Sequence, residues 1–478
     1  MTFDELVTCV RAESLTVCTD SRSVQDGDVF VAVRGTCVDG HTFIDQALRN
    51  GAKYIVCEQD SDELHTISVP SSAKAVAHLA QASHNDPGAK LTHLAVTGTN
   101  GKTTVAYLVH ACLVHAGHAC GLISTINYDT GQEQAPSQLT TPDALTLATW
   151  QAQMVDAGWE YLVMEASSHA LQQDRLASIP FTGAAFTNLT GDHLDYHQTK
   201  ENYLSAKSIL FEGLAPGATA VLNRQSPESA TLAARTRAHI LWYGYGTDTD
   251  ADVRATITSM DITGTEYTLH YGGQTQPVHS PLLGAHNVSN HLAATGLCLA
   301  AGLDLSTIAT GLSTLAVIPG RLEKIRTDRD FSCIVDYAHT DDALKNILTT
   351  LKPLCKGRLI VVFGCGGDRD RTKRPRMAHV AESQADITVI TSDNPRTEAP
   401  QVIINDIRSG LSTNPACSVI IEADRKKAIE IAIDNAKIND IVVIAGKGHE
   451  TYQVIGKKRI AFDDKEVALA AITSLAPQ

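Results

Sequence analysis

Apolar residues in this chain fall into two recurring patterns. Short solid runs occupy 91–96, 161–165 and 184–187, and again 333–335, 359–363, 387–390, 419–421 and 441–444. Between them lie longer stretches whose apolar positions recur every three or four residues, at 104–115, around 288–301 and at 305–315. The solid runs predict strands covered on both faces, and the amphipathic stretches predict the helices that cover them. Strand alternating with helix in this way predicts an α/β protein with parallel sheets. Near the amino terminus, 29–33 and 54–58 read as strands with a helix over 43–50 between them.

Two turn-forming stretches divide the pattern, His84-Asn85-Asp86-Pro87-Gly88 and Ile318-Pro319-Gly320. They predict three α/β domains over 1–87, 88–318 and 319–478, the central one with a mostly parallel sheet and the last Rossmann-like. Polar residues cluster just past the predicted strands: Thr97, Ser124, Glu165 and Asn188 in the centre, then Asp336, Gly364, Asp393, Asp424 and Gly446. Open α/β sheets bind ligands at the carboxyl ends of their strands. Two such edges in one chain predict a cleft between domains.

Composition narrows the function classes. The 478 residues are 43% hydrophobic, too many for one ordinary core and sufficient to fill several. A net charge of −14 argues against a nucleic-acid groove as the main surface. No apolar run approaches bilayer length, and Met1-Thr2-Phe3-Asp4-Glu5 lacks a basic leader, so a cytoplasmic protein without membrane insertion is expected. The 11 cysteines include no Cys-x-x-Cys, which favours reduced thiols over a zinc knuckle or a disulfide frame.

The most specific chemistry is Thr97-Gly98-Thr99-Asn100-Gly101-Lys102-Thr103, set between a predicted strand and a predicted helix. Glycines let backbone N–H groups close on phosphate oxygens, and the helix start adds its positive dipole end. Lys102 would neutralise β/γ-phosphate charge, and the Thr103 hydroxyl would complete a magnesium shell. The stretch departs from the usual P-loop, which has glycine where Val96 stands. Glu165 ends an apolar strand, placed to hold magnesium or else to cap the next helix. Ser167, Ser168, His169, Gln173 and Arg175 form a donor-rich group suited to an anionic substrate. From Asn188 to His197 metal-capable side chains crowd together; His193 and His197 could bind zinc if helical, but a hard-metal phosphate site fits better. Lys207, in a helical pattern, reads by itself as a solvated surface lysine. Asn287 could read an adenine edge, though a helix cap is favoured, and Arg321 is either a nucleotide contact or a hinge residue.

The last domain adds Asp336-Tyr337-Ala338-His339, the run from Gly364 to Asp370, Asp393-Asn394-Pro395-Arg396 and Gly446-Lys447-Gly448-His449-Glu450. Each begins where a strand ends. Arg369 and Arg396 could clamp carboxylates, and Glu450 could hold an ammonium group. Two cations and an anion at one sheet edge suggest a zwitterionic ligand such as an amino acid.

Taken together these stretches, with His286-Asn287-Val288-Ser289-Asn290, resemble the Mur ligases over essentially the whole chain. The resemblance implies an ATP-dependent ligase, expected as a monomer, with an amino-terminal UDP-binding domain and two magnesium ions. It implies that Thr97, Gly98, Thr99, Asn100, Gly101, Lys102, Thr103 and Thr104 hold ATP, with Asn287, Arg321 and Asp336. It also implies Glu165 as a metal ligand, and His193 with a carbamylated Lys207 at a second metal. His339 joins Lys102, Lys207 and His193 in the catalytic set so implied. Ser21 would meet uridine, while Thr140, Thr141, Ser167, Gln173 and Arg175 would bind the UDP-N-acetylmuramoyl-L-alanyl-D-glutamate peptide. Arg369, Asp393, Asn394, Arg396, Gly446 and Glu450 would bind meso-diaminopimelate, since Asp393-Asn394-Pro395-Arg396 is the variant associated with that amino acid. Lysine-adding and folylpolyglutamate-type relatives are the nearest alternatives, and a regulatory P-loop ATPase is the alternative from another class. One departure is Asp341, where many relatives have proline; a shifted helix start is expected there.

Overall fold

The structure is a computed structural model that describes all residues except 36–37, 60–64, 193, 247–249 and 476–478, and leaves the side chains of 194 and 195 undescribed. Its strands carry the predicted apolar runs. Thr92–Thr97, Phe181–Phe186, Thr219–Asn223, Leu359–Phe363 and Ile441–Ala445 are all buried or nearly so along their length, as strands covered by helices on both faces must be. The described strands sort into a small amino-terminal sheet, two large ones and a two-stranded hairpin.

The first sheet runs Val17–Cys18, Val29–Val31, Tyr54–Cys57, Thr66–Ser68, all parallel. Helices Phe3–Glu13 and Ser72–Ser83 cover it. The central sheet has 11 strands, with Phe181–Phe186, Thr92–Thr97 and Tyr161–Glu165 side by side in its middle. Its parallel core is extended at one end by Val253–Asp261, Gly264–Tyr271 and Gln274–Ser280, which pair antiparallel. These three strands were not anticipated. Along Val253–Asp261 buried residues are few and mostly alternate with exposed ones, so no solid apolar run marks them.

The third sheet has six strands, ordered Glu323–Ile325, Ser332–Asp336, Ile441–Ala445, Leu359–Phe363, Ile387–Ile390, Ser418–Ile421. Ser418–Ile421 was expected to be buried; it is the edge strand and is half-exposed. Helix Ala285–Ala300 begins at 285 rather than 288, with Gly284 as its cap. Helix Asp341–Leu351 starts at the residue that replaces proline: Thr340 caps it by accepting from the Ala343 N–H, and Asp341 takes the first helical position. Among the described residues no helix is long and apolar enough to cross a membrane, and no described cysteine is paired.

Candidate active site between two sheet edges

Strand Thr92–Thr97 and helix Lys102–His115 are joined by Gly98 to Gly101, and both glycines are required by geometry. Gly98 has φ +146° and a Cβ there would lie 1.9 Å from Thr187 Oγ1; Gly101 has φ +88° and its Cβ would lie 2.3 Å from Asn290 Oδ1. The neighbouring strand end fastens the loop. The Thr99 N–H donates to the Asn188 carbonyl at 2.8 Å, the Asn100 N–H to Asn188 Oδ1 at 3.0 Å, and the Thr187 hydroxyl to the Asn100 carbonyl at 2.6 Å. Gly101 caps the helix without a side chain, which leaves first-turn N–H groups facing the loop's concave side.

Two lysines converge on this loop. Lys102 Nζ donates to the carbonyls of Gly98 at 3.0 Å and Thr99 at 2.7 Å, and Lys207 Nζ donates to the same Gly98 oxygen at 2.8 Å. Lys207 is no surface residue: it is 1% exposed, with its nitrogen 4.3 Å from the centre of the Tyr203 ring. A lone lysine in an amphipathic helix gives no sign of such burial. Desolvation, and then the Lys102 charge, hold its pKa well below the ordinary lysine value, with Asp192 pulling the other way. Burial lowers Lys102 as well, Arg321 adding to the effect while Glu165 and Asp192 oppose it.

Glu165 is fully buried at the end of Tyr161–Glu165, and its oxygens accept from the Thr125 N–H at 2.7 Å and hydroxyl at 3.0 Å. It caps no helix; Ser167 does that, accepting from the Ala170 N–H. His197 is buried, with Nε2 2.9 Å from Ser168 Oγ and its ring against Tyr203, and so is committed to packing. His193 lies outside the described residues. Among those described, no group of three or more His, Cys, Asp or Glu side chains is gathered as if around a metal ion.

The third domain closes over the loop. Arg321 Nη2 donates to Thr103 Oγ1 at 3.1 Å while its guanidinium lies 4.6 Å from the Tyr337 ring centre. Asp336 accepts from the N–H groups of Leu322 and Ala338, both at 2.7 Å, and so shapes the turn that carries Arg321. Burial raises the Asp336 pKa against the pull of Arg321. Asn100 Nδ2 donates to Asp342 Oδ2 at 3.0 Å. His339 Nδ1 lies 2.9 Å from the Tyr337 carbonyl, which only accepts, so Nδ1 carries the proton and Nε2 is left as an acceptor. Burial, with Lys373 nearby, keeps that imidazole neutral. Asn287 is the third helical residue and not a cap; its Nδ2 donates back to the Leu283 carbonyl at 2.8 Å. The predicted cleft is a cavity of about 430 Å³ lined from one side by Lys102, Thr103, Thr104, Glu165 and Asn287 and from the other by Arg321, Asp336 and His339.

Thr140 and Ser167 also line this cavity. The rest of their predicted group adjoins it: Thr141 Oγ1 donates to Ser167 Oγ at 3.2 Å, and Arg175 donates to the Thr141 carbonyl at 2.8 Å and to Gln173 Oε1 at 2.7 Å. Ser21 stands in the amino-terminal sheet region, where its hydroxyl donates to Gln46 at 3.0 Å.

The remaining predicted residues form a second rim that does not line the cavity. A Cβ on Gly366 would lie 2.8 Å from Arg396 Nη1 and 3.8 Å from Arg369 Cγ, so both arginines flank one glycine. Arg369 is exposed, whereas Arg396 donates to the Gly367 carbonyl at 2.8 Å and has φ +50°. An unpredicted hairpin, Tyr452–Ile455 with Lys458–Ala461, clasps that strained residue: the Arg396 N–H donates to Val454 and its carbonyl accepts from Gly456. Glu450 reads in the sequence as a residue that could hold an ammonium group. In this structure it takes Lys447 Nζ at 3.0 Å and Asn394 Nδ2 at 2.9 Å, a cation and a donor of the kind a ligand ammonium would supply. Lys447, wholly buried and quoted in the sequence only as part of its motif, is the residue that reading overlooked. Asp393 is buried, with Oδ1 making no hydrogen bond and Lys447 Nζ 3.8 Å away. The two rims meet at His449, whose ring lies 5.1 Å from that of Tyr337 in the cavity wall.

Comparison with known proteins covers the whole arrangement. Three family models match in succession: "Mur ligase family, catalytic domain" over 16–94, "Mur ligase middle domain" over 96–298, and "Mur ligase, glutamate ligase domain" over 320–448. A relative from Geobacillus thermodenitrificans, named UDP-N-acetylmuramoyl-L-alanyl-D-glutamate--2,6-diaminopimelate ligase, is 44% identical over 460 residues, 95% of this chain and 94% of the relative. A solved structure of a protein of that name is 34% identical with a TM-score of 0.70, over 96% of this chain and 94% of that one. The MurF ligase from Thermotoga maritima in complex with ADP shares the fold at 19% identity and a TM-score of 0.64, covering 96% and 97%.

Proposed function

The chain belongs to the Mur ligase family, and we propose that it joins meso-2,6-diaminopimelate to the glutamyl γ-carboxylate of UDP-N-acetylmuramoyl-L-alanyl-D-glutamate with cleavage of ATP, in peptidoglycan precursor synthesis. The observation that carries this reading is the shared cavity. In it the glycine loop, Lys102 and Glu165 face Arg321 and His339, in a chain 44% identical over 95% of its length to a relative of that name.

The chemistry follows from charge. A carboxylate is a poor acyl donor, so the γ-carboxylate attacks the terminal phosphorus of ATP and ADP departs, leaving an acyl phosphate. Lys102 releases the Gly98 and Thr99 carbonyls to meet the phosphate oxygens, and the bare helix start supplies backbone donors. The amine of diaminopimelate then attacks the acyl carbon, a tetrahedral intermediate forms, and phosphate leaves. His339, neutral with Nε2 free to accept, is placed to receive the proton that the amine gives up. Thr140, Thr141, Ser167, Gln173 and Arg175 hold the muramoyl peptide, and Ser21 its uridine. Arg321 and Asn287 face the adenosine.

Hard oxygen donors fit magnesium: the buried Glu165 carboxylate and the Thr103 hydroxyl line the cavity with no thiol among its lining residues. Glu165 and Thr103 would hold one ion, and His193 with carbamylated Lys207 a second; bound there, the ions offset the crowding of phosphate charge. Carbamylation needs an unprotonated amine that adds to carbon dioxide and loses a proton. Lys207 meets that need, since burial and Lys102 both disfavour its cation.

At the second rim, Arg369 and Arg396 supply cations for the amino acid's carboxylates, while Asp393, Asn394, Gly446 and Glu450 surround its ammonium. L-Lysine has hydrogen where diaminopimelate has its second carboxylate, so it would leave Arg396 unpaired beside an ammonium, at a cost on the order of a few kcal/mol. The test is phosphate release with the UDP-muramoyl dipeptide against a panel of amino acids. Turnover dependent on diaminopimelate is expected. Turnover with L-lysine instead, or ATP hydrolysis indifferent to both substrates, would overturn the reading.

A further inference from the structure

Beneath the second rim lies an ion pair with no exposure on either side chain, Arg425 with Asp464. Arg425 opens helix Arg425–Asp434 and Asp464 opens helix Asp464–Ser474. The pair is bidentate: Arg425 Nε donates to Asp464 Oδ1 and Nη2 to Oδ2, both at 2.7 Å. The guanidinium has donors to spare, and they go to main-chain oxygens, Nη1 to Ser392 at 3.2 Å and Nη2 to Ala445 at 3.0 Å. Ser392 immediately precedes Asp393, and Ala445 immediately precedes Gly446.

Those two loops leave strands that are not neighbours. Leu359–Phe363 runs between Ile387–Ile390 and Ile441–Ala445. Gly364, at the end of the intervening strand, removes the obstacle: a Cβ there would lie 2.5 Å from the Thr391 carbonyl and 2.9 Å from the Asp393 nitrogen. The 391–393 segment therefore folds over the middle strand, and the Arg425 fork spans what remains of the gap. A fully buried ion pair is a poor source of stability, since an apolar pair of like volume often serves as well or better. What an apolar pair cannot do is hold two carbonyls at a set separation.

We propose that Arg425, held by Asp464, is a positioning residue that sets the separation of the 393–396 and 446–450 loops and thereby the affinity for the amino acid. This rests on the assignment of those loops to the amino-acid substrate. It accounts for two charged side chains that are wholly buried and lie outside every motif recognised in the sequence.

The test compares wild type with Arg425→Lys, which keeps the charge but loses the fork, and with the paired Arg425→Met/Asp464→Leu, which removes the buried charges together. Steady-state kinetics are run on whichever amino acid the wild type consumes, and amide hydrogen exchange is followed at 391–397, 445–450 and 97–104. Both variants should raise KM for the amino acid at least tenfold, leave KM for ATP within about twofold, and speed exchange in the first two segments only. Asp464→Asn should fall between wild type and Arg425→Lys. Unchanged amino-acid KM with unchanged exchange, or a loss shared equally by ATP, would overturn the proposal. Wild-type use of an amino acid other than diaminopimelate would refute the substrate assignment alone, and the exchange data decide on Arg425 even where no amino acid is consumed.

Discussion

Replacing Lys207 by alanine separates a catalytic lysine from a merely buried one. Lys102 and Lys207 bond the same Gly98 oxygen at 3.0 and 2.8 Å, so their nitrogens lie within about 6 Å, the two lengths end to end. At roughly 5 Å and an effective dielectric near 20, two like charges repel by about 3 kcal/mol. A carbamate on Lys207 would convert that repulsion into attraction of similar size. The sign of the pH dependence follows. The unfolded chain keeps a proton that the native amine gives up, so this residue's contribution to stability is least below the depressed folded-state pKa and improves as pH rises toward the ordinary lysine value of 10.5. Lys207→Ala therefore removes no charge from the folded state, and escape from the cost of deprotonating the buried amine offsets part of the cavity it leaves. The variant should melt within a few degrees of wild type while turnover falls by about 10²-fold or more. Phosphate release is the assay, in buffer stripped of carbon dioxide and then supplied with bicarbonate. Wild type should gain activity on bicarbonate addition; the variant should respond only to formate or acetate, which restore a carboxylate at the vacated position. A variant with most of the wild-type turnover, or a wild type indifferent to bicarbonate with Lys207 unmodified by intact mass, would refute the reasoning.

Three further outcomes are expected. Arg396→Ala should raise KM for diaminopimelate about 10- to 100-fold, in line with the loss of a charge-assisted bond, and leave KM for ATP alone; unchanged diaminopimelate kinetics would count against the second rim. Gly98→Ala should weaken ATP binding at least tenfold by equilibrium titration, because its Cβ would meet Thr187 Oγ1 at 1.9 Å, whereas Gly117→Ala, with φ +89° and nothing within 4 Å, should cost only about 1 kcal/mol of stability and no affinity. Acid should loosen the central domain, where burial pushes His93 down to about 4 and His291 down to about 3 from 6.5. These imidazoles stay neutral when folded, so their contribution is complete above 6.5 and drains away as pH falls from there toward the folded values. By about pH 5 each should have lost roughly 2 kcal/mol. Urea unfolding followed by fluorescence reports this domain alone, since Trp150, Trp159 and Trp242 all lie in it. A slope unchanged in His93→Gln/His291→Asn would exclude these residues as its source.

Much of the fold was readable because parallel strands covered on both faces are solid apolar runs, as at 359–363 and 441–445. Val253–Asp261 was not, because its buried residues mostly alternate with exposed ones, and a two-residue period is easily lost among polar residues. The glycine loop was legible for a related reason: its glycines answer to local backbone geometry. Its anchors, Thr187 and Asn188, reach it from the end of another strand, and nothing near residue 98 points to them. Burial of single charged residues was the least legible feature. Lys207 and Arg425 sit in helices whose apolar spacing is ordinary, and their burial is decided by what packs over them from elsewhere in the chain. Lys447 carried a faint local signal, a lysine between two glycines at a strand end.

The placement of the third domain's contacts bears on order in the reaction. Arg321 lands on Thr103 and Asp342 on Asn100. Neither of these is an arbitrary surface residue. Asn100 stands in the glycine loop and Thr103 in the first turn of the helix that follows it. In the proposed reaction, the domain that carries the second rim is thus registered on the part of the central domain that phosphoryl transfer requires. An acyl phosphate formed in an open cleft would be lost to water. A rim that docks only on a correctly formed phosphate loop brings the attacking amine and the exclusion of water together. Loosening that docking, as Asp342→Ala would by freeing Asn100, should therefore appear as ATP consumed without peptide product more than as weaker ATP binding. Product and phosphate that fall in equal proportion in that variant would show that the contact serves stability alone.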